Sequence, residues 1–185
     1  HFLFKGDKEK LKNFFTVKKV NLISATKSIT KNMESRGGGI KDISLLDKTN
    51  TLENFYQIDV KFETCDAMGA NFINSVLECI AVALKGQAQE YSSFNNSEKE
   101  IEVIMSILSN YTPECIVKTF VECPIKDLGI ISEMEAHEFA HKFERAVQIA
   151  KVDVNRAVTH NKGIFNGIDA VVLATGNDFR AIEAC

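Results

Sequence analysis

The residues best placed to do chemistry lie in one short stretch, "THNKGIFNGID", Thr159 to Asp169. Lys162 stands between Asn161 and Gly163, with Arg156 six residues before it, Asn166 four after it, and the apolar run "AVVLA" directly downstream. A lysine drawn against a buried apolar helix is costly unless an acid and hydrogen-bond acceptors compensate it. The first suitable acid past that run is Asp178, in "ATGND". A helix from Gly167 to about Thr175 and a turn at Gly176 would aim it back at Lys162, giving a fixed, paired positive charge. Taken by itself, the stretch is explained more simply by a solvated lysine in an Asn/Gly-rich loop. His160 is of the residue type that suits acid–base work, but a histidine in a polar loop more often anchors backbone.

Three further motifs have the right residue types. "CDAMGAN", Cys65 to Asn71, falls at a strand-to-helix junction, where free N–H groups and the helix dipole favour an anion and Gly69 leaves room for a phosphate. A plain turn is the simpler account of those residues. "ILSNY", Ile107 to Tyr111, puts Ser109 and Asn110 at the end of an expected strand; an asparagine there can donate to and accept from a ligand or its own backbone. His137 and His141 are four apart in "EMEAHEFAHKF", a spacing able to hold zinc, but the HExxH pattern is absent and an ordinary helix pair is the expectation. The five cysteines, 65, 79, 115, 123 and 185, contain no CxxC, so neither a disulfide framework nor a metal site is expected.

These residues need elements to position them. The order of expected elements begins with a strand at "HFLFK", then a helical stretch from Asp7 to Arg36 carrying Leu11, Phe14, Phe15, Leu22, Ile23, Ile29 and Met33 inward. A break is expected near "VKKV", and "GGG" at 37–39 should end the stretch. Strands at "IKDISLLD" and "NFYQIDVKFET" follow, the second facing inward with Phe55, Ile58, Val60 and Phe62 and one irregular step. A helix at "GANFINSVLECIAVALKG" buries Phe72, Val76, Ile80, Ala83 and Leu84, and "IEVIMSIL" is a last strand. The order β-α-β-β-α-β is the split βαβ, ferredoxin-like arrangement, so the fold class is α+β. Residues 1–109 form that domain, and 110–185 form part of a larger mixed α/β domain. In it, a strand is expected at "CIVKTFVECPI" and a helix at "SEMEAHEFAHKFERAVQIAKV", capped by Ser132 and Glu135. A buried helix at "NGIDAVVLATG" and the start of another at "NDFRAIEAC" complete the chain.

Composition limits the function classes. A net charge of −3 and a pI near 5.9 argue against a dedicated nucleic-acid surface, the basic opening "KGDKEKLKNFFTVKK" reading as a solvated helix face. No apolar run approaches the roughly 18 residues of a membrane span, and no signal-peptide core is visible, so a cytoplasmic location is expected.

Together "RGGGIKDI", "DAMGAN", "ILSNY" and "RAVTHNKGIFNGIDAVVLATGNDFRA", in that order from about Ala25 to Ala181, resemble 3-hydroxy-3-methylglutaryl-coenzyme A (HMG-CoA) reductase of the bacterial, class II type. The resemblance implies NAD(P)H-dependent reduction of HMG-CoA to mevalonate and CoA, or the reverse, by two hydride transfers. It also implies a small ferredoxin-like cofactor domain (1–109), a partial substrate domain (110–185) and a homodimer for the full-length protein. Carried over residue by residue, Lys162 resembles the lysine that stabilises oxyanion charge and Asp178 the acid that orients it. Arg156 resembles the holder of the HMG carboxylate and Asn166 a polar contact to substrate and lysine. Asp66, Met68, Gly69 and Asn71 resemble the cofactor loop, with Asn110 near the nicotinamide. Thr30, flanked by Lys27 and Lys31, stands where some members carry an NAD-selecting aspartate, so NADPH is the expected cofactor, with NADH possible. The family's upstream glutamate and downstream histidine have no counterpart in this sequence, so the chain by itself is expected to be an inactive fragment. The competing reading is a non-catalytic ferredoxin-like module that binds a nucleotide or a protein.

Overall fold

The computed structural model describes residues 1–185, which divide into two compact units, His1–Leu108 and Ser109–Cys185. In the first unit, β1 (Phe2–Leu3) leads to α1 (Lys8–Ala25) and α2 (Lys27–Glu34), then to the antiparallel strands β2 (Gly39–Asp47) and β3 (Phe55–Glu63). α3 (Ala70–Gln89), the one-turn α4 (Asn96–Lys99) and β4 (Glu102–Val103) complete it. The sheet order is β2-β3-β1-β4 with every neighbouring pair antiparallel, as the ferredoxin-like reading requires.

Local sequence explains the boundaries. Asp7 opens α1 by accepting the Lys10 N–H at 2.9 Å. The break in the first helical stretch comes at Thr26, not at "VKKV": the buried Thr26 hydroxyl donates to the Ile23 carbonyl at 2.7 Å, and α2 starts afresh on the next residue. The β-branched residues of "VKKV" stay helical because tertiary packing of the neighbouring Phe14, Phe15 and Leu22 outweighs propensity. Gly37, at φ +93°, closes α2: its N–H donates to Glu34 O at 2.9 Å and that of Gly38 to Met33 O at 3.0 Å, the paired bonds of a Schellman turn.

The core joins Phe2 and Phe4 to Leu11, Phe14, Phe15 and Leu22 of α1, Ile43 of β2, and Val76, Ile80, Leu84 and Ala88 of α3. On β3 the deeply buried residue is Tyr56, which brings Ile58, Val60 and Phe62 into a clean period of two. Phe55, expected to face inward, instead stacks on the His1 ring at 5.8 Å, so no irregular step is needed. β4 is shorter than expected because Ile104 to Leu108 run on as irregular chain. The polar stretch between α3 and β4 hides structure that composition does not announce. Asn95 and Glu98 form a reciprocal capping box, and Tyr91 and Phe94 pack edge to face at 4.9 Å.

The second unit contains a 3₁₀ turn at Ile125–Asp127 and three helices, α5 (Ala136–Val152), α6 (Val154–Ala174) and α7 (Phe179–Ala184). Asp153, extended at φ −112° and ψ 113°, separates α5 from α6 and caps α6 through the Asn155 N–H at 3.0 Å. Three expectations fail here. The strand over 115–125 does not form: the segment has no partner strand to satisfy its backbone, and Ile116, Val117, Phe120 and Val121 are exposed. α5 begins without the Ser132 capping box; Ser132 and Glu133 take positive φ, and Glu135 precedes the helix without a side-chain cap. The helix expected to be buried over "NGIDAVVLATG" is instead the second half of the longer, exposed α6, with Val171 64% and Leu173 57% accessible. A helical hairpin of this size has too few partners to cover both of its apolar sides.

Candidate functional site

In the first unit, β3 ends at Glu63 and α3 begins at Ala70, so the loop between them is "TCDAMG". Gly69 precedes α3 in the left-handed conformation, φ +76°, and a Cβ there would lie 2.6 Å from Thr64 Cγ2, so both backbone and space demand glycine. No side chain caps α3, so its first N–H groups are open, and Asn71 lies exposed on the first turn. Asp66 is exposed and Met68 is 43% accessible. Open N–H groups at the start of a 20-residue helix, reached through a glycine, fit a nucleotide phosphate.

Two contacts that the sequence did not signal hold this region. The Cys65 Sγ donates to the Arg36 carbonyl at 3.3 Å, tying the loop to the glycine turn that ends α2. Asn74, one turn into α3, accepts the Leu108 N–H at 2.9 Å and fixes where the chain leaves the unit. Neither follows from periodicity, because each partner lies far away in sequence. Thr30 does not stand open between two ammonium groups as expected. Its side chain is buried on the inner face of α2, Lys27 pairs with Glu34 at 3.0 Å, and only Lys31 is exposed and unpaired. Helical phase is the cause: Thr30 shares a face with Met33, which packs inward.

In the second unit, Asn110 is the central residue of a small turn in which the Tyr111 N–H donates to Ser109 Oγ at 3.1 Å, and it is exposed. Arg156, His160, Lys162 and Asn166 all belong to α6, so "THNKG" is helix and not loop. Gly163 and Gly167 both lie well inside a 21-residue helix, whose cooperative hydrogen bonding carries the backbone through them. Lys162 and Asn166, at i and i+4, share a face; Arg156 is about a third of a turn away. Lys162, Arg156 and Asn166 are exposed.

The expected ion pair between Lys162 and Asp178 is not formed. Asp178 caps α7, accepting the Arg180 N–H at 3.0 Å, with Arg180 Nε 3.7 Å away. The uninterrupted helix is the reason: from Lys162 to its end at Ala174, α6 advances roughly 18 Å. The structure thus gathers Arg156, Lys162 and Asn166 on one element and leaves Asp178 at the next.

Known proteins are similar to most of this chain. The hydroxymethylglutaryl-coenzyme A reductase family model matches residues 1–185. The chain belongs to the HMG-CoA reductase family. It is 36% identical over 155 residues to a probable 3-hydroxy-3-methylglutaryl-coenzyme A reductase of Borreliella burgdorferi, covering 83% of this chain and 32% of that protein. It is 32% identical over 148 residues to the reductase of Archaeoglobus fulgidus, covering 80% of this chain and 30% of that protein. The class II HMG-CoA reductase of Streptococcus pneumoniae, solved bound to NADPH in open conformations, superposes with a TM-score of 0.63 at 32% identity. That match takes in 99% of this chain and 46% of the pneumococcal one, so this chain spans less than half the length of each of these three relatives. None of its helices is long and apolar enough to cross a membrane.

Proposed function

We propose that this chain is the cofactor-binding and lysine-bearing part of an HMG-CoA reductase that converts HMG-CoA to mevalonate and CoA with NADPH. The observation that carries this reading is the family match over all 185 residues, reinforced by a class II neighbour that itself binds NADPH. The loop from Asp66 to Asn71 receives cofactor phosphate at the open start of α3, with Gly69 as the point of close approach. NADPH supplies the reducing equivalents. Lys162 places positive charge at the substrate carbonyl oxygen, where it is most effective in a water-poor site. Arg156 binds the HMG carboxylate, Asn166 orients substrate beside Lys162, and Asn110 contacts the nicotinamide half of the cofactor. Asp178 orients Lys162, which requires the α6–α7 region to bring the two together when the site assembles.

The test is expression of the whole coding sequence, with HMG-CoA reduction followed through NADPH oxidation. Lys162→Ala should lower kcat by about 100-fold or more. An unchanged rate would overturn the assignment. NADPH should bind more tightly than NADH; NADH binding tighter by about tenfold would reverse the preference.

One observation favours a second reading, a non-catalytic nucleotide-binding module: Lys162 and Asp178 are unpaired with each other and exposed. In that case the whole protein would bind NADPH yet leave HMG-CoA unreduced.

A further inference from the structure

α5 carries His137 and His141 one turn apart, on its first two turns. Both side chains are exposed, and neither hydrogen-bonds nor forms an ion pair, whereas the neighbouring Lys142 is held by Glu138 at 2.7 Å. Residues four apart on a helix face the same way with Cβ atoms about 5–6 Å apart. Two imidazoles in that relation converge on one cation at metal–nitrogen distances of about 2.0–2.1 Å. We propose that His137 and His141 form a two-imidazole site for a borderline transition-metal cation, one that staples the start of α5.

Three features define the site. No third His, Cys, Asp or Glu gathers with the pair, so water completes the coordination. Imidazole donors select Cu²⁺, Ni²⁺ and Zn²⁺ over the hard cations Mg²⁺ and Ca²⁺. The helix start is the part of α5 with most to gain: it has no side-chain cap and follows two residues at positive φ, Ser132 and Glu133. A metal bridging two successive turns fixes the costly helical nucleus. A cation there opposes the helix dipole, and Glu138 on the first turn, with Glu133 and Glu135 just ahead of the helix, offsets that opposition.

The test is calorimetric titration of the 185-residue chain with Ni²⁺ after blocking its cysteines with N-ethylmaleimide. The parent chain and the His1→Gln and His160→Gln controls should bind one Ni²⁺ with micromolar affinity. His137→Gln and His141→Gln should each bind about tenfold or more weakly. Hydrogen exchange over 136–142 should slow on adding Ni²⁺ to the parent and not to His141→Gln. Equal affinity in parent and both α5 variants, binding lost in a control instead, or no binding by the thiol-blocked parent would each overturn the site.

Discussion

Glu98 shows how much one side chain can organise. It is 3% exposed, accepts the Asn95 N–H at 2.9 Å and the Asp7 N–H at 3.3 Å, and pairs with Lys10 at 2.9 Å, joining α4 to the start of α1. The Asn95 backbone bond and then the Lys10 ammonium hold its carboxyl below the usual glutamate range. Because the folded value is depressed, its contribution is complete above the unfolded value of about 4.3 and is lost as pH falls through the folded one. Glu98→Gln should therefore lower the melting temperature at neutral pH and flatten the acid limb of a melting-temperature-versus-pH curve; an unchanged acid limb would contradict this. Asp47, brought to about 2 chiefly by hydrogen bonds from Thr49, acts in the same direction. Gly69→Ala should destabilise the unit by about 1 kcal/mol or more, since it combines positive φ with the Thr64 clash, and should weaken NADPH binding in parallel. The need for glycine at 69 was legible in the motif. The burial of Thr30 was not, because a position inferred by resemblance carries no helical phase.

Among the elements, those of the first unit were legible where periodicity was strong. The buried face of α3 contains Val76, Ile80 and Leu84 as read, and the βαββαβ order is as expected. Errors came where one local signal competed with another: Phe55 against Tyr56 for the inward phase of β3, or β-branched residues against a buried threonine for the break between α1 and α2. α6 was misread for a different reason. Two glycines and two asparagines suggested a loop, yet the helix runs through them, and a Cβ added at Gly163 or Gly167 would meet open space. Gly163→Ala should consequently stabilise α6 in this chain by about 0.5–1 kcal/mol, seen as higher helicity and a higher melting temperature. A loss of stability would mean that something packs on that glycine face.

At the scale of the whole molecule, apolar burial is uneven. Every member of the main core cluster lies between Phe2 and Ile101, while α5 and α6 bury no residue. Residues 1–108 expressed alone should therefore unfold cooperatively, and limited proteolysis of the full chain should cut within 109–135 before it attacks the first unit. Simultaneous digestion of both units would contradict this. The Lys162–Asp178 pair read from the sequence does not form in this chain for a related reason: contacts between successive helices depend on what else packs around them, and the relatives it matches are more than twice its length.

The thiol of Cys65 has a use beyond holding two turns together. It is exposed, sits next to Asp66 of the proposed cofactor loop and rests on the Arg36 carbonyl, so its environment must change whenever the loop engages a nucleotide. A small fluorophore attached there, with the other cysteines replaced by serine, turns the loop into an optical gauge of occupancy. NADPH should shift its emission at concentrations that also protect the free thiol from alkylation, giving a binding signal that needs no turnover.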